Sequence, residues 1–337
     1  MWRLDTAPRM GWVNEPSPVQ ALPALADSLG LAWLGVKRDD LLPALYGSTK
    51  VRKLDRLLAR PPYVQASRWI ATGAIGSGQL ACLAAAAEER GVRLEVHTFW
   101  QVPTPHALEN LAFLATRAEV HYRHGRVAML LGAPTRRPSN PAVVPVGATG
   151  VPGMLGLVDA GFELADQVRA GALPEPDVLV VPFGSGGTAV GLAAGLAMAG
   201  LKTEVWAVSA VERVFSTGLR VRALRNALSR ALPDARFAPI HVDHGALGGG
   251  YAVPTTAGAA AITRFADAGL HLEPAYGGKA AAALLARPPR GKRVLFWNTA
   301  RRGPLPADPG WREHLPDPLR RRLDGHDPWR RRLLVAG

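Results

Sequence analysis

The chain has 337 residues, 48% apolar and 20% charged, which suits a folded globular protein of up to two domains and excludes a disordered or fibrous one. Its formal net charge of +13 rests on 34 arginines against six lysines, a bias that coding composition explains as readily as a polyanion-binding face does. A lone cysteine, Cys82, excludes an intramolecular disulfide and a thiolate zinc cluster; a start without the apolar run of a secretory signal, and a longest small-residue apolar stretch (Ala189 to Gly200) too short to span a bilayer, predict a soluble cytoplasmic protein with no membrane partner.

Strand-like and helix-like stretches alternate along the chain, the pattern of an α/β protein with a largely parallel sheet. Residues 68–72 predict a strand. The glycine turn Gly73-Ala74-Ile75-Gly76-Ser77-Gly78 follows, then an alanine-rich helix over 79–90 stopped by Gly91. A strand at 94–99, a helix at 106–117 and a strand at 119–122 complete one βαβαβ unit. Residues 134–140 are rich in Pro and Arg and predict a loop, 143–146 an extended segment and 155–169 a helix. A second unit opens with the apolar run 177–182, passes through the turn Phe183-Gly184-Ser185-Gly186-Gly187-Thr188, and continues as a small-residue helix toward Met198 and a strand over 202–209. Helices around 259–268 and 279–286 and a strand at 293–297 close the pattern, with no short-period repeat.

Two segments could carry chemistry. Gly184 to Thr188 lies between a buried-type strand and a helix, where backbone N–H groups and the helix dipole converge on an anion. Ser185 and Thr188 add hydroxyl donors. The turn lacks the Lys-Ser/Thr of a nucleotide loop and the G-x-G-x-x-G pattern, so it suits a single phosphate; the alternative is a tight turn that merely packs helix on strand. In the second segment, Ser48 or Thr49 can cap a helix whose Val51, Leu54, Leu57 and Leu58 fall at helical spacing. At about 100° per residue Lys50 falls inside that apolar arc, while Arg52, Lys53 and Arg56 fall outside it. A lysine turned inward loses hydration and offers a neutral amine to an aldehyde; taken alone, it could equally snorkel outward from the first helical turn.

The order of the pieces bears on both. Lys37-Arg38-Asp39-Asp40, Gly47 to Asp55, Gly73 to Gln79, Gly184 to Thr188, Gly249 to Pro254 and Glu273-Pro274-Ala275-Tyr276-Gly277-Gly278-Lys279-Ala280 resemble, in sequence order, the motifs of fold-type II pyridoxal-phosphate enzymes. The similar branch contains D-cysteine desulfhydrases and 1-aminocyclopropane-1-carboxylate deaminases, and the resemblance runs from about residue 15 to 305. It implies the α/β, two-domain, open twisted-sheet fold of the tryptophan synthase beta-like enzymes, with a large domain of 1–51 plus 156–337, a small domain of 52–155, and the cofactor in the cleft between them. It implies pyridoxal 5'-phosphate as cofactor, a small amino acid as substrate, and a homodimer. By the same carry-over Lys50 matches the lysine that binds the cofactor covalently. Ser77 matches the active-site serine, Gln79 its glutamine neighbour, Tyr276 and Tyr251 the tyrosines of the site, and Gly184, Ser185, Gly186, Gly187 and Thr188 the phosphate cradle. Ser77, Gly78 and Gln79 are expected to take the substrate carboxylate.

Four departures from the family pattern bear on activity. Thr49 stands for an asparagine before the lysine. Gly78 stands for the asparagine that contacts the cofactor's phenolic oxygen, and Gly277 for the residue that addresses its ring nitrogen. Near residue 300, Thr299 keeps the desulfhydrase choice, but Ala300 and Arg301 replace paired glycines. An Arg301 side chain reaching the ring nitrogen would disfavour a protonated ring and weaken the cofactor as an electron sink, which suits α,β-elimination of a good leaving group such as sulfide better than cyclopropane opening. The other reading of Arg301 is a surface residue in a realigned loop. The expected activity is therefore that of a D-cysteine desulfhydrase-like lyase releasing ammonia and a 2-oxo acid. The alternatives are deaminase-like ring opening and a non-catalytic relative that retains the fold.

The remaining features carry less. His241 with His244, and His121 with His124, have ligand-like spacing but no third ligand close in sequence, so no metal is expected. Cys82 reads as a small core residue. Asn110 resembles a family asparagine and reads equally as a polar residue on a surface helix. Arg320 to Arg322 and Arg330 to Arg332 have only Trp311 and Trp329 near them and no nucleic-acid motif, so they predict a solvated face or tail and no nucleic-acid partner.

Overall fold

The elements run in chain order as β1 (Val19–Ala21), α1 (Pro23–Leu29), β2 (Trp33–Arg38), α2 (Thr49–Leu57), β3 (Arg68–Ala74), α3 (Gly78–Arg90), β4 (Arg93–Phe99), α4 (Pro105–Ala115), β5 (Glu119–Arg123) and β6 (Pro141–Val144). They continue as α5 (Val151–Arg169), β7 (Val178–Phe183), α6 (Gly187–Met198), β8 (Glu204–Ser209), α7 (Gly218–Ala231), β9 (Ile240–Asp243), α8 (Thr256–Ala266), α9 (Gly277–Ala286), β10 (Arg293–Asn298) and α10 (Asp317–Leu323). The computed structural model describes residues 8–123, 141–301 and 303–325. The loop expected at 134–140, His124, Trp329, Arg330, Arg331 and Arg332 lie outside the described residues.

Two compact units emerge, one made of the chain up to Val64 and from Pro145 to Gly303, the other of Gln65 to Val144 and the chain from Pro304 onward. The boundaries implied by the resemblance, 52 and 155, fall inside α2 and α5, two helices that pack on one another within the first unit. In that unit six strands are ordered β1-β2-β10-β7-β8-β9, parallel throughout except for β1 on β2. Central strands buried on both faces are apolar almost continuously, as parallel sheets require. On β7, Leu179, Val181 and Phe183 join one core with α5 and α6, while Val180 joins the other with α8 and α9. The second unit is a parallel sheet ordered β5-β4-β3-β6, where Leu111 and Ala115 of α4 pack with Leu315 and Leu319 at and before α10. Among the described residues no helix is long and apolar enough to cross a membrane.

The sequence periods place most elements within a few residues and miss β1, α1, β2, α7, β9 and α10. They also start α5 four residues late, because Pro152 and Gly153 read as loop. Glycines in this helix serve packing. A Cβ on Gly156 would stand 1.9 Å from the Arg52 carbonyl oxygen, so glycine lets α5 lie directly on α2.

Helix α2 departs from its expected amphipathic pattern. Arg52, Lys53 and Arg56 are as buried as Leu54 and Leu57, while Lys50 is only half-buried. The helix is enclosed, and its two arginines enter because carboxylates await them. Arg52 lies between Asp39 (2.8 Å) and Glu163 (2.7 Å), Lys37 also pairs with Glu163 (2.6 Å), and Trp297 Nε1 donates to Asp39 (2.7 Å). Arg56 Nε donates to Asp159 at 2.7 Å. Burial pushes the Asp39 and Glu163 carboxyls up, but Arg52 and Lys37 beside them prevail and hold both below the ordinary carboxylate range. The stability tied to these depressed values is therefore present above that range and is lost as pH falls through the folded values.

Arg52→Met should destabilise the protein by about 3–5 kcal/mol near neutral pH, because two buried carboxylates lose their main partner. Urea unfolding checks this; the loss should narrow in acid as the carboxylates take up protons. A change below about 1 kcal/mol would contradict the assignment.

Candidate active site

Lys50 sits in the first turn of α2 and is presented by an unusual backbone. Leu45, Tyr46 and Ser48 all have positive φ (50°, 63° and 92°), a conformation that side chains rarely adopt and that clusters at functional sites. Ser48 then caps the helix, its Oγ accepting from the Lys50 N–H at 3.2 Å. Thr49, in the place of the family's asparagine, turns away to donate to Asp39 at 2.8 Å and so joins the ionic network.

The turn from Gly184 to Thr188 links β7 to α6, as expected. Its two flanking glycines permit close approach: a Cβ on Gly184 would stand 2.9 Å from the Tyr276 ring, and one on Gly187 2.8 Å from Thr149. Thr149 and Ser185 share a hydroxyl hydrogen bond of 2.6 Å. Lys53 reaches the same place, its Nζ donating to Gly147 O (3.1 Å) and Thr149 Oγ1 (3.3 Å), and the exposed Arg220 donates to Ser185 O through Nε and a terminal nitrogen (3.2 Å each). Among the described residues Lys53 has no carboxylate partner. Burial first, then the charges of Lys50 and Arg220, push its ammonium well below its ordinary value. A buried amine among like charges, beside a helix N-terminus, two hydroxyls and a glycine turn, is matched by a dianion.

Both predicted tyrosines meet here. Tyr251 and Tyr276 pack edge to face with ring centroids 5.9 Å apart. Lys279 donates to Leu247 O and Gly250 O (2.7 Å each), tying α9 to the loop that carries Tyr251. The buried Glu273 accepts from the N–H groups of Ala275, Tyr276 and Gly277 (2.7, 2.9 and 2.6 Å) and so fixes the start of α9. Burial pushes its carboxyl above the ordinary value, against those donors and the Lys50 charge. A Cβ on Gly277 would lie 3.6 Å from Glu273 Oε1 in ordinary contact, so that position has room for the side chain it lacks. Thr299 follows β10. Arg301 is not a surface residue: it is 7% exposed, and its guanidinium donates to Gly303 O.

Within the second unit, Ser77 caps α3, its Oγ accepting from Leu80 N at 3.4 Å, and Gly78 and Gln79 form the first turn. The space around a Cβ at Gly78 is open. Asn110 is buried rather than at the surface and donates to Gly76 O at 2.9 Å, bracing the turn that precedes Ser77. His241 and His244 have separate partners, Glu204 (3.5 Å) and Ser216 (3.4 Å), and do not converge on a third ligand.

Sequence reasoning missed Lys53, Thr149, Arg220 and Glu273. The available signal for Thr149 was a second glycine turn, Gly147-Ala148-Thr149-Gly150; for Lys53 the helical arc misled, because it ranks residues by one face of a helix that is buried on all.

The first unit thus carries a glycine turn at a helix N-terminus with hydroxyl and amine donors beside it, and a lysine presented by a turn of positive φ, a set whose chemistry suits a phosphorylated aldehyde. A family described as pyridoxal-phosphate dependent enzymes matches residues 13–300, and this chain belongs to it. It is 31% identical over 296 residues to a D-cysteine desulfhydrase of Salmonella typhimurium, covering 84% of this chain and 89% of that protein. It is 31% identical over 297 residues to one from Serratia proteamaculans, with the same coverage. Its fold is similar to the crystal structure of an ACC deaminase homologue, with TM-score 0.73, 24% identity, and coverage of 88% of this chain and 93% of that one. A diaminopropionate ammonia lyase of Escherichia coli is similar at TM-score 0.59 and 16% identity, over 86% of this chain and 83% of that one. The residues present fit the cofactor chemically: the glycine turn, the hydroxyl pair and the buried Lys53 amine suit a phosphate, and Lys50 is a primary amine at the start of α2.

Because the Lys53 value is depressed in the folded state, the unfolded chain binds that proton more tightly, and the stability of cofactor-free protein must rise with pH up to the ordinary lysine range. Denaturant unfolding in phosphate-free buffer between about pH 7 and about pH 9 should show this rise. Lys53→Met should remove its share of the slope and raise stability at the lower pH. An unchanged slope would contradict the assignment.

Proposed function

We propose that this chain is a pyridoxal-phosphate dependent lyase that acts on a small amino acid, with D-cysteine as the leading substrate, and releases sulfide, ammonia and pyruvate. The observation that carries this reading is the gathering of Lys50, Lys53, the glycine cradle and two tyrosines within one unit. When bound, pyridoxal phosphate supplies an aldehyde that condenses with amines and a conjugated ring that draws electrons from the α-carbon.

The chain's own residues divide the remaining work. Gly184 to Thr188, Thr149 and Lys53 hold the phosphate through backbone, hydroxyl and ammonium donors. Lys50 provides the amine for attachment and, once released from it, a base for the α-proton. The Tyr251 and Tyr276 phenols can hold or pass a proton toward the leaving group. Ser77, Gly78 and Gln79 form a helix N-terminus suited to the substrate carboxylate. In the net reaction the α C–H and β C–S bonds break, water enters as the carbonyl oxygen of pyruvate, and sulfide and ammonium depart. Gly277 has no side chain to address the ring nitrogen, and a weakened electron sink favours expulsion of a good leaving group over opening of a cyclopropane. A cytoplasmic homodimer completes the reading, supported by the exposed apolar side chains of Val214, Phe215 and Leu219.

The test joins labelling to turnover. Borohydride reduction of the purified, cofactor-loaded protein followed by peptide mapping should place the cofactor on Lys50, and Lys50→Ala should abolish the label and lower sulfide release from D-cysteine by about 10²–10⁴-fold or more. Label on another lysine would overturn the attachment site. A labelled Lys50 with no turnover of any D- or L-amino acid would overturn the catalytic reading, and ammonia from 1-aminocyclopropane-1-carboxylate exceeding that from D-cysteine would replace the substrate class.

A further inference from the structure

The second unit carries a cluster that the lyase reading does not use. In the parallel pairing of β4 with β5, Glu95 stands opposite Glu119 and His97 opposite His121. Residues two apart on a strand share a face, so the four side chains form a square of two carboxylates and two imidazoles on one side of the sheet. The ligand atoms of Glu95, His97 and His121 all lie within 4.8 Å of one another. Glu95 Oε1 is 2.9 Å from His97 Nε2 and 3.8 Å from His121 Nε2, and Glu119 Oε1 is 3.0 Å from His121 Nε2. A tetrahedral ion with bonds of about 2.0–2.1 Å needs ligand atoms about 3.3–3.4 Å apart, so these spacings bracket the requirement.

Two further features favour a cation. The His97 side chain is 9% exposed and its Nδ1 has no hydrogen-bond partner, while its Nε2 faces a carboxylate oxygen that only accepts. The ring proton therefore sits on Nε2, and moving it to the unpartnered Nδ1 frees the Nε2 lone pair without a net change in protons. Arg68 holds the opposite oxygens, donating to Glu95 Oε2 (2.8 Å) and Glu119 Oε2 (3.0 Å) and leaving both Oε1 atoms toward the histidines. His121 and Glu119 are 38% and 56% exposed, which leaves an entry path from solvent.

We propose that Glu95, His97, His121 and Glu119 bind a borderline divalent cation such as zinc, nickel or cobalt(II), the class that mixed imidazole and carboxylate donors select. The site is independent of the lyase assignment, since none of its residues has a part there. Titration of the full-length, cofactor-loaded protein with zinc chloride against a chromophoric chelator should show one ion bound per chain. His121→Ala and Glu119→Gln, both at exposed positions, should weaken it by at least the ~10–100-fold that changes around metal ligands cost. Cobalt(II) should give a visible absorption band that His121→Ala removes, with D-cysteine turnover of that variant unchanged. Absence of binding in the micromolar range, or equal affinity in His121→Ala, would overturn the proposal. So would several weak equivalents insensitive to both substitutions, the behaviour of scattered surface histidines.

Discussion

The first unit depends on one unfavourable burial: an ammonium enclosed with no carboxylate partner among the described residues. Lys53 is almost fully buried, hydrogen-bonded to a carbonyl and a hydroxyl, and repelled by Lys50 and Arg220. A protein selected for stability alone would place a carboxylate there or an apolar side chain. Its retention makes sense when a doubly charged anion completes the set, and the glycine turn and the hydroxyl pair stand where that anion would be met. The same strain explains why a chain with so many arginines uses a lysine here, since an ammonium can lose its proton when the anion is gone and a guanidinium cannot.

The cost is carried by the other charges of α2. Arg52 and Arg56 point into the same interior as Lys53, but each is answered by carboxylates from the turn after β2 or from α5. These pairs, with Asp39 of the turn after β2 and with Asp159 and Glu163 of α5, fix the rotation of the helix about its axis. A helix held this way cannot roll to release Lys53 to solvent without breaking a network that includes Asp39, Glu163 and Lys37, and Thr49 is drawn into it. Lys50 is left at the helix start, on a turn whose positive φ values no other described segment repeats three times within four residues. Rigidity behind the lysine and strain ahead of it belong to one design.

How much of this was legible follows from the physics of each signal. The alternation of strands and helices, the two glycine turns and the order of motifs are local or ordinal, and the sequence displays them directly. Position 50 was visible for the same reason. The charged interior of α2 was not, because an amphipathic reading assumes that charge means solvent, and nothing near Arg52 in sequence reveals Asp39 and Glu163. Thr149 and Glu273 reach the site through tertiary packing. His97 and His121 lie on separate strands 24 residues apart, so only the register of β4 on β5 brings them together. Asn110 and Arg301, each open to a surface reading, are interior because a backbone carbonyl there needs a donor.

The account stands or falls on what Lys53 and the cradle recognise. Affinity of the cofactor-free protein for pyridoxal phosphate and for unphosphorylated pyridoxal, measured side by side in wild type and Lys53→Met, isolates that contribution. The account predicts a preference for the phosphorylated form that falls by about 10- to 150-fold in the variant, the range of a lost charge-assisted hydrogen bond. Equal preference in the two proteins would contradict it.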